Sequence, residues 1–234
     1  MKRESPAKIF NSVQREVKET TSYKYFNTFN LTDPSEEGGE YLKQFFFFND
    51  AFLSPQESIT YKHDENAFVL ILPIAGALNY SDKTSKEEFI KSDQLLLMKV
   101  EKESSYTLHN VFKKDWVNYL HIGFKVNIIS PKHIFTHLEI ALKKTNEPFG
   151  FEFPEVDQLA GSIALYQGRY ADTYTLTKTN SAVFVYVISG AFEVQGRLLE
   201  QRDGLCLWDT KEIEFEALSN NAIILILEIK SNDY

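Results

Sequence analysis

Residues 61–72, YKHDENAFVLIL, place Lys62, His63, Asp64 and Glu65 just before an apolar run that reads as a buried strand. Imidazole and carboxylate groups gathered at a strand end are the raw material of a metal site, and equally the content of a solvated turn. His63 and Asp64 are sequence neighbours, so on a strand they face opposite sides. His133 and His137 stand at i,i+4, the helix-face spacing used in zinc sites. They lack the glutamate of His-Glu-x-x-His and any nearby third His or Cys, so they read as two exposed histidines on a helix. His121, between Leu120 and Ile122, reads as a solvent-facing or hydrogen-bonded strand histidine. The one cysteine, Cys206 in LCLW, excludes an intramolecular disulfide and reads as a buried reduced thiol. No phosphate loop, nucleophile elbow, Cys-x-x-Cys pair or Ser-His-Asp pattern is present.

The 234 residues are enough for one large domain or two small ones with sizeable cores. Hydrophobic residues at 43%, with nineteen Phe and twelve Tyr against ten Gly, argue for a packed, β-rich globule. A net charge of −8 disfavours binding to a phosphate backbone, so nucleic acid is not expected as a partner. MKRESPAKIF has no apolar signal core, and the longest uncharged apolar stretch, Ala67 to Leu78, is about half a membrane span. A cytoplasmic protein without membrane contact is the expectation.

Ser5-Pro6 before AKIFNSVQREVKE predicts a short helix, with Ile9, Val13 and Val17 near helical spacing. NLTDPSEEGGEY (30–41) is loop chemistry. From QFFFFND to about residue 127, short strands alternate with turns: SITYK, AFVLIL, GALNY, EFIK, QLLLMKV, SYTLHNVF and VNYLHIGFKV. SPKHIFTHLEIALKKTNEPFG (130–150) breaks that pattern and predicts a second short helix, followed by a linker over 151–161. Strands then resume as SIALYQGRY, DTYTLT, AVFVYVIS, GAFEVQG, GLCLWD, EIEFEAL and AIILILEI. VLILPIAGALNYSD (69–82) is echoed by VFVYVISGAFEVQG (183–196), and KSDQLLLMK (91–99) by QRDGLCLWD (201–209). Each copy reads strand, Gly turn, strand, turn, Asp, apolar strand. Two similar β barrels in tandem account for this.

That order of elements resembles cupin jelly rolls, and the chain as a whole resembles the pirin family, which includes bacterial quercetin 2,3-dioxygenases. YKYFNTFNLTDP (23–34) is similar to the family's Thr-Phe-Ser-Phe segment and Asp-Pro, and FFFFNDAFLSP (45–55) to its Asn-Asp strand. GALNYSD (76–82), SDQLLLM (92–98) and VNYLHIGF (117–124) resemble later segments of its first barrel. YVISGAFEVQGRLLEQRDG (186–204) resembles its second. The resemblance implies an all-β fold of two tandem cupin (jelly-roll, RmlC-like) barrels with short helical segments. Its parts are a 1–19 arm with a short helix, a 20–127 barrel, a 128–156 connecting segment with a short helix, and a 157–234 barrel.

It also implies where a metal would sit. Active relatives hold one metal, usually iron, in the first barrel through a His-x-His segment and a later His-x-Glu. Carried over, the first pair falls on Lys62 and Asp64, with His63 between them, and the second on His109 and Val111. An ammonium aimed into such a site repels a cation, although Lys62 can pair with Asp64 instead. The expectation is therefore a degenerate metal site with no cofactor. The candidate pocket comprises Lys62, His63, Asp64, Phe68, His109 and Val111, with Tyr61, Phe68, Tyr106, Phe112 and Tyr119 as candidate barrel lining. The expected role is non-catalytic binding of a small molecule or a protein. The alternative is an iron-type dioxygenase of the quercetinase kind with His63, Asp64 and His109 as an altered ligand set. A third reading makes the barrels interaction surfaces only.

Overall fold

A computed structural model describes residues 5–29, 44–83, 87–125, 134–140, 142, 144–153, 156, 158–177 and 181–230. Its strands, in chain order, begin with β1 (Ala7–Phe10), β2 (Glu16–Glu19), β3 (Tyr23–Asn27), β4 (Phe45–Leu53), β5 (Ser58–Lys62), β6 (Ala67–Ala75) and β7 (Ala77–Asp82). β8 (Glu88–Lys91), β9 (Gln94–Val100), β10 (Ser105–Asn110), β11 (Val117–Phe124), β12 (Phe135–Glu139), β13 (Phe149–Glu152) and β14 (Leu159–Tyr166) follow. The last are β15 (Ala171–Thr175), β16 (Ser181–Ser189), β17 (Phe192–Val194), β18 (Arg197–Leu199), β19 (Gly204–Leu207), β20 (Glu212–Ala217) and β21 (Ala222–Lys230). A 3-10 turn, Ser12–Gln14, is the only helical element among the described residues, and no helix there is long and apolar enough to cross a membrane.

The chain divides into two compact units, Arg15–Asn30 with Phe45–Ile140, and Met1–Gln14 with Leu31–Gln44 and Ala141–Tyr234. Each is a barrel of two antiparallel sheets. The first unit has a seven-stranded sheet, β12-β9-β6-β11-β4-β3-β2, and a four-stranded sheet, β5-β10-β7-β8. The second has β1-β19-β16-β21-β14-β13 and β15-β20-β17-β18. The orders correspond strand for strand except for β2, which has no counterpart in the second unit, and the repeat read in the sequence falls at their centre. β6 and β16 each run nine residues and end at Gly76 and Gly190, whose φ of +90° and +78° turn the chain into β7 and β17. In the second unit β1 takes, beside β19, the edge position that β12 takes beside β9 in the first.

Two sequence expectations fail here. The helix over the 1–19 arm is instead β1, the 3-10 turn and β2. Its presumed apolar stripe, Ile9, Val13 and Val17, is 41, 91 and 46% exposed and would have buried little. Pairing of Ala7–Phe10 with Gly204–Leu207, and the Phe10 ring against Phe184 at 5.9 Å, outweigh a weak local propensity. The second helix is replaced by β12, whose Phe135 and His137 pair with Met98 and Leu96, and by β13 at the edge of the second unit. His133 and the whole of the 30–41 loop lie outside the described residues.

The interior of the first barrel contains Leu53, Val69, Ile71, Leu78, Leu96, Met98, Leu108, Val117 and Tyr119. Gly123 is part of its construction. A Cβ there would meet the Phe47 ring at 2.5–2.9 Å, so Phe47 lies over the glycine. Gly123→Ala is expected to destabilise the protein by about 1–3 kcal/mol. Gly150→Ala, where the nearest atom is 3.9 Å away, should stay within about 0.5 kcal/mol. Urea unfolding of the two variants checks the contrast.

Candidate functional site

Strand alternation decides which side chains enter the first barrel. On β5, Ile59 and Tyr61 pack into the core, while Ser58, Thr60 and Lys62 are exposed. The next inward position is His63, 8% exposed, and Asp64 is again exposed. β10 pairs Tyr106 with Tyr61 and Leu108 with Ile59, so Tyr106, Leu108 and Asn110 point inward and His109 outward. His109 Nδ1 lies 3.0 Å from Ser58 Oγ on the outer face, and the Val111 carbonyl accepts a bond from Gln56 Nε2 at 3.0 Å. Phe68 is buried, but alternation turns it to the opposite face of the sheet from Val69 and Ile71. Lys62 and Asp64 form no ion pair among the described residues. The six candidate pocket residues therefore do not converge.

A different set does. β11 sends Val117, Tyr119, His121 and Gly123 inward, and β3 sends Tyr23 and Tyr25. The Tyr61 hydroxyl lies 2.9 Å from that of Tyr23 and 2.8 Å from that of Tyr119, a chain of three phenols. Tyr106 Oη is 2.5 Å from His121 Nε2. The His121 ring sits between Tyr61 and Phe47, at centroid distances of 4.0 and 4.5 Å, and His63 stacks on Tyr106 at 5.3 Å. His121 is 1% exposed, which resolves the sequence reading in favour of a hydrogen-bonded strand histidine.

The cluster is uncharged. Burial pushes the Tyr61, Tyr106 and Tyr119 hydroxyls well above the usual phenol range, and Tyr23 to about 12. Burial also lowers His121 well below the ordinary imidazole value, with His63 adding to the shift. His63 is lowered by burial, partly offset by Asp64. Cys206, 1% exposed with its thiol pushed up to about 12 by burial, is inert as the sequence implied.

The metal that active relatives use does not fit the positions that would hold it. Lys62, Asp64 and His109 face away from the interior, Val111 offers no side-chain donor, and His63 alone of the altered ligand set points inward. No group of three or more His, Cys, Asp or Glu side chains able to hold a metal occurs among the described residues. The sequence reading missed Tyr23, Phe47 and the Tyr106–His121 pair. The signal was present as a period of two, in Ile59-x-Tyr61-x-His63 and Val117-x-Tyr119-x-His121-x-Gly123, but the carried-over alignment pointed one residue away.

The architecture is that of two tandem cupin barrels, and known proteins share it. Residues 162–229 match the quercetinase C-terminal cupin domain family. The fold is similar to YhhW from Escherichia coli, at a TM-score of 0.82 and 13% identity, covering 98% of this chain and 100% of that one. Bacterial pirin YhhW in complex with nickel(II) gives 0.81 at 13% identity, covering 97% and 100%. A quercetin 2,3-dioxygenase from Acinetobacter baumannii gives 0.74 at 13% identity, covering 97% and 88%. No curated protein matches the sequence. The chain thus has the fold of bacterial pirin structures, and its second barrel matches the quercetinase C-terminal cupin family.

Two tests address the cluster. Tyr61→Phe removes the hydroxyl that joins Tyr23 to Tyr119 and should lower stability by roughly 1–3 kcal/mol with no change in fold. His121 gives a pH dependence. In the folded protein it stays neutral, whereas in the unfolded chain it takes up a proton near pH 6.5. Stability is thus full above about pH 6.5 and falls as the pH drops below it, with His63 acting in the same sense. Urea midpoints from pH 8 to 5 should fall on the acid side for the natural sequence and flatten in His121→Gln.

Proposed function

We propose that this pirin-like bicupin is a non-catalytic binding protein that works without a metal centre, its partner being a small molecule or a protein. One observation carries the reading: the register of β5 and β10 turns Lys62, Asp64 and His109 outward, and neutral Tyr and His side chains fill the inward positions. Oxygen chemistry of the quercetinase type needs an electron-carrying centre, and the phenol–imidazole cluster supplies none at neutral pH. Within this reading a protein partner is favoured over a ligand inside the first barrel, because Tyr61, Tyr106, Tyr119 and His121 occupy its middle. An iron-dependent dioxygenase remains the competing assignment, and the same experiment decides between them.

Protein purified without a His tag is expected to contain less than stoichiometric iron, nickel or zinc by elemental analysis. It should neither gain thermal stability from ferrous iron nor consume quercetin once iron is supplied. Stoichiometric metal that is lost in His63→Ala or His109→Ala, together with quercetin turnover, would overturn the reading.

A further inference from the structure

β2 is the outer edge of the seven-stranded sheet, and all four of its residues, Glu16, Val17, Lys18 and Glu19, are exposed. Among the described residues no strand pairs with its outer side. The Thr20 amide donates to the Tyr23 carbonyl at 2.7 Å. Because backbone groups alternate along an antiparallel strand, Lys18 and Glu16 turn theirs toward β3, while Val17 and Glu19 turn theirs outward. Edge strands are commonly kept apart from other chains by charged residues. Here the charges have a pattern that matches a second copy of the same strand.

In an antiparallel pair with a two-fold axis at Val17, Val17 faces its counterpart, and the two exchange both backbone hydrogen bonds. Glu16 then lies directly across from Lys18 of the second copy, once on each side of the axis. Moving the axis by one residue, to Glu16 or to Lys18, places like charges face to face, which is repulsive. Half-residue registers set an outward backbone group against an inward one. The Glu16 and Lys18 side chains share one face of β2, with Lys18 Nζ 3.9 Å from Glu16 and 5.9 Å from the centre of the Tyr25 ring. Glu19 is already engaged with Lys24 at 3.1 Å, so register selection falls to Glu16 and Lys18.

We propose that β2 is a self-association edge, through which two copies join their seven-stranded sheets with Val17 on the two-fold axis and Glu16–Lys18 pairs flanking it. The contact is isologous and closes at two copies. A four-residue strand makes a small interface, so association is weak, concentration-dependent and reduced by salt. The proposal goes beyond the binding reading and stands or falls separately from it.

Sedimentation equilibrium of the full chain at low ionic strength tests it. The natural sequence should show a monomer–dimer equilibrium. Glu16→Lys and Lys18→Glu alone should each remain monomeric at concentrations where the natural chain dimerises. Mixed in equal amounts they should associate, since one then carries two lysines and the other two glutamates at these positions. The double variant Glu16→Lys/Lys18→Glu should self-associate again. Circular dichroism melts establish that each single variant is folded. A natural chain that stays monomeric throughout, a dimer indifferent to either charge reversal, or singles that fail to rescue one another on mixing would overturn the proposal.

Discussion

Which way a strand's side chains point is fixed by its register, and a shift of one residue exchanges the contents of the two faces. In the first barrel this constraint is set by the β5–β10 ladder, where Tyr61 meets Tyr106 and Lys62 meets Ser105. Burying Lys62 or Asp64 in that apolar interior would carry a desolvation penalty far above that of a neutral phenol whose hydroxyl is hydrogen-bonded. The observed register puts the ions in water and the phenols inside. The hydroxyl chain, the sandwiched His121 and the dispersal of the transferred ligand positions all follow from it.

The second barrel meets the same problem differently. Its inward row on β21 runs Ala222, Ile224 and Ile226 and continues to Glu228, which is fully buried. That carboxylate accepts from the Tyr174 hydroxyl at 3.0 Å, the Thr177 amide at 2.9 Å and the Thr177 hydroxyl at 3.1 Å. One barrel thus keeps a single carboxylate under several donors, while the other distributes its polarity over neutral rings. The carboxylate is fully engaged, whereas the ring cluster leaves His121 Nδ1 and His63 Nε2 buried without a hydrogen-bond partner.

Much of this was legible from residue order. The Ile74-Ala-Gly76 and Ile188-Ser-Gly190 echo located the central strand and glycine turn of both barrels, because a left-handed turn residue and a long apolar run leave a strong local mark. SITYK, EFIK and QLLLMKV fall on β5, β8 and β9 end to end. What escaped was decided at a distance. β1 and β12 are strands because β19 and β9 offer them open edges, and their own residues fit either state. Likewise the facing of His109 was legible only from the strand's own alternation, since family likeness aligned the segment without fixing its side.

β1 also bears on how the protein is made. Its four residues are synthesised long before their partners, since Lys8 pairs with Cys206, 198 residues further along. At ordinary translation speeds the strand therefore waits on the order of ten seconds or more for its partner. Throughout that interval the early segment has an unmatched ladder to offer. The second barrel is thus bordered by a strand that precedes the whole of the first barrel in the chain. Its completion is a long-range loop closure, slow on topological grounds, and a natural point of engagement for whatever guards nascent chains.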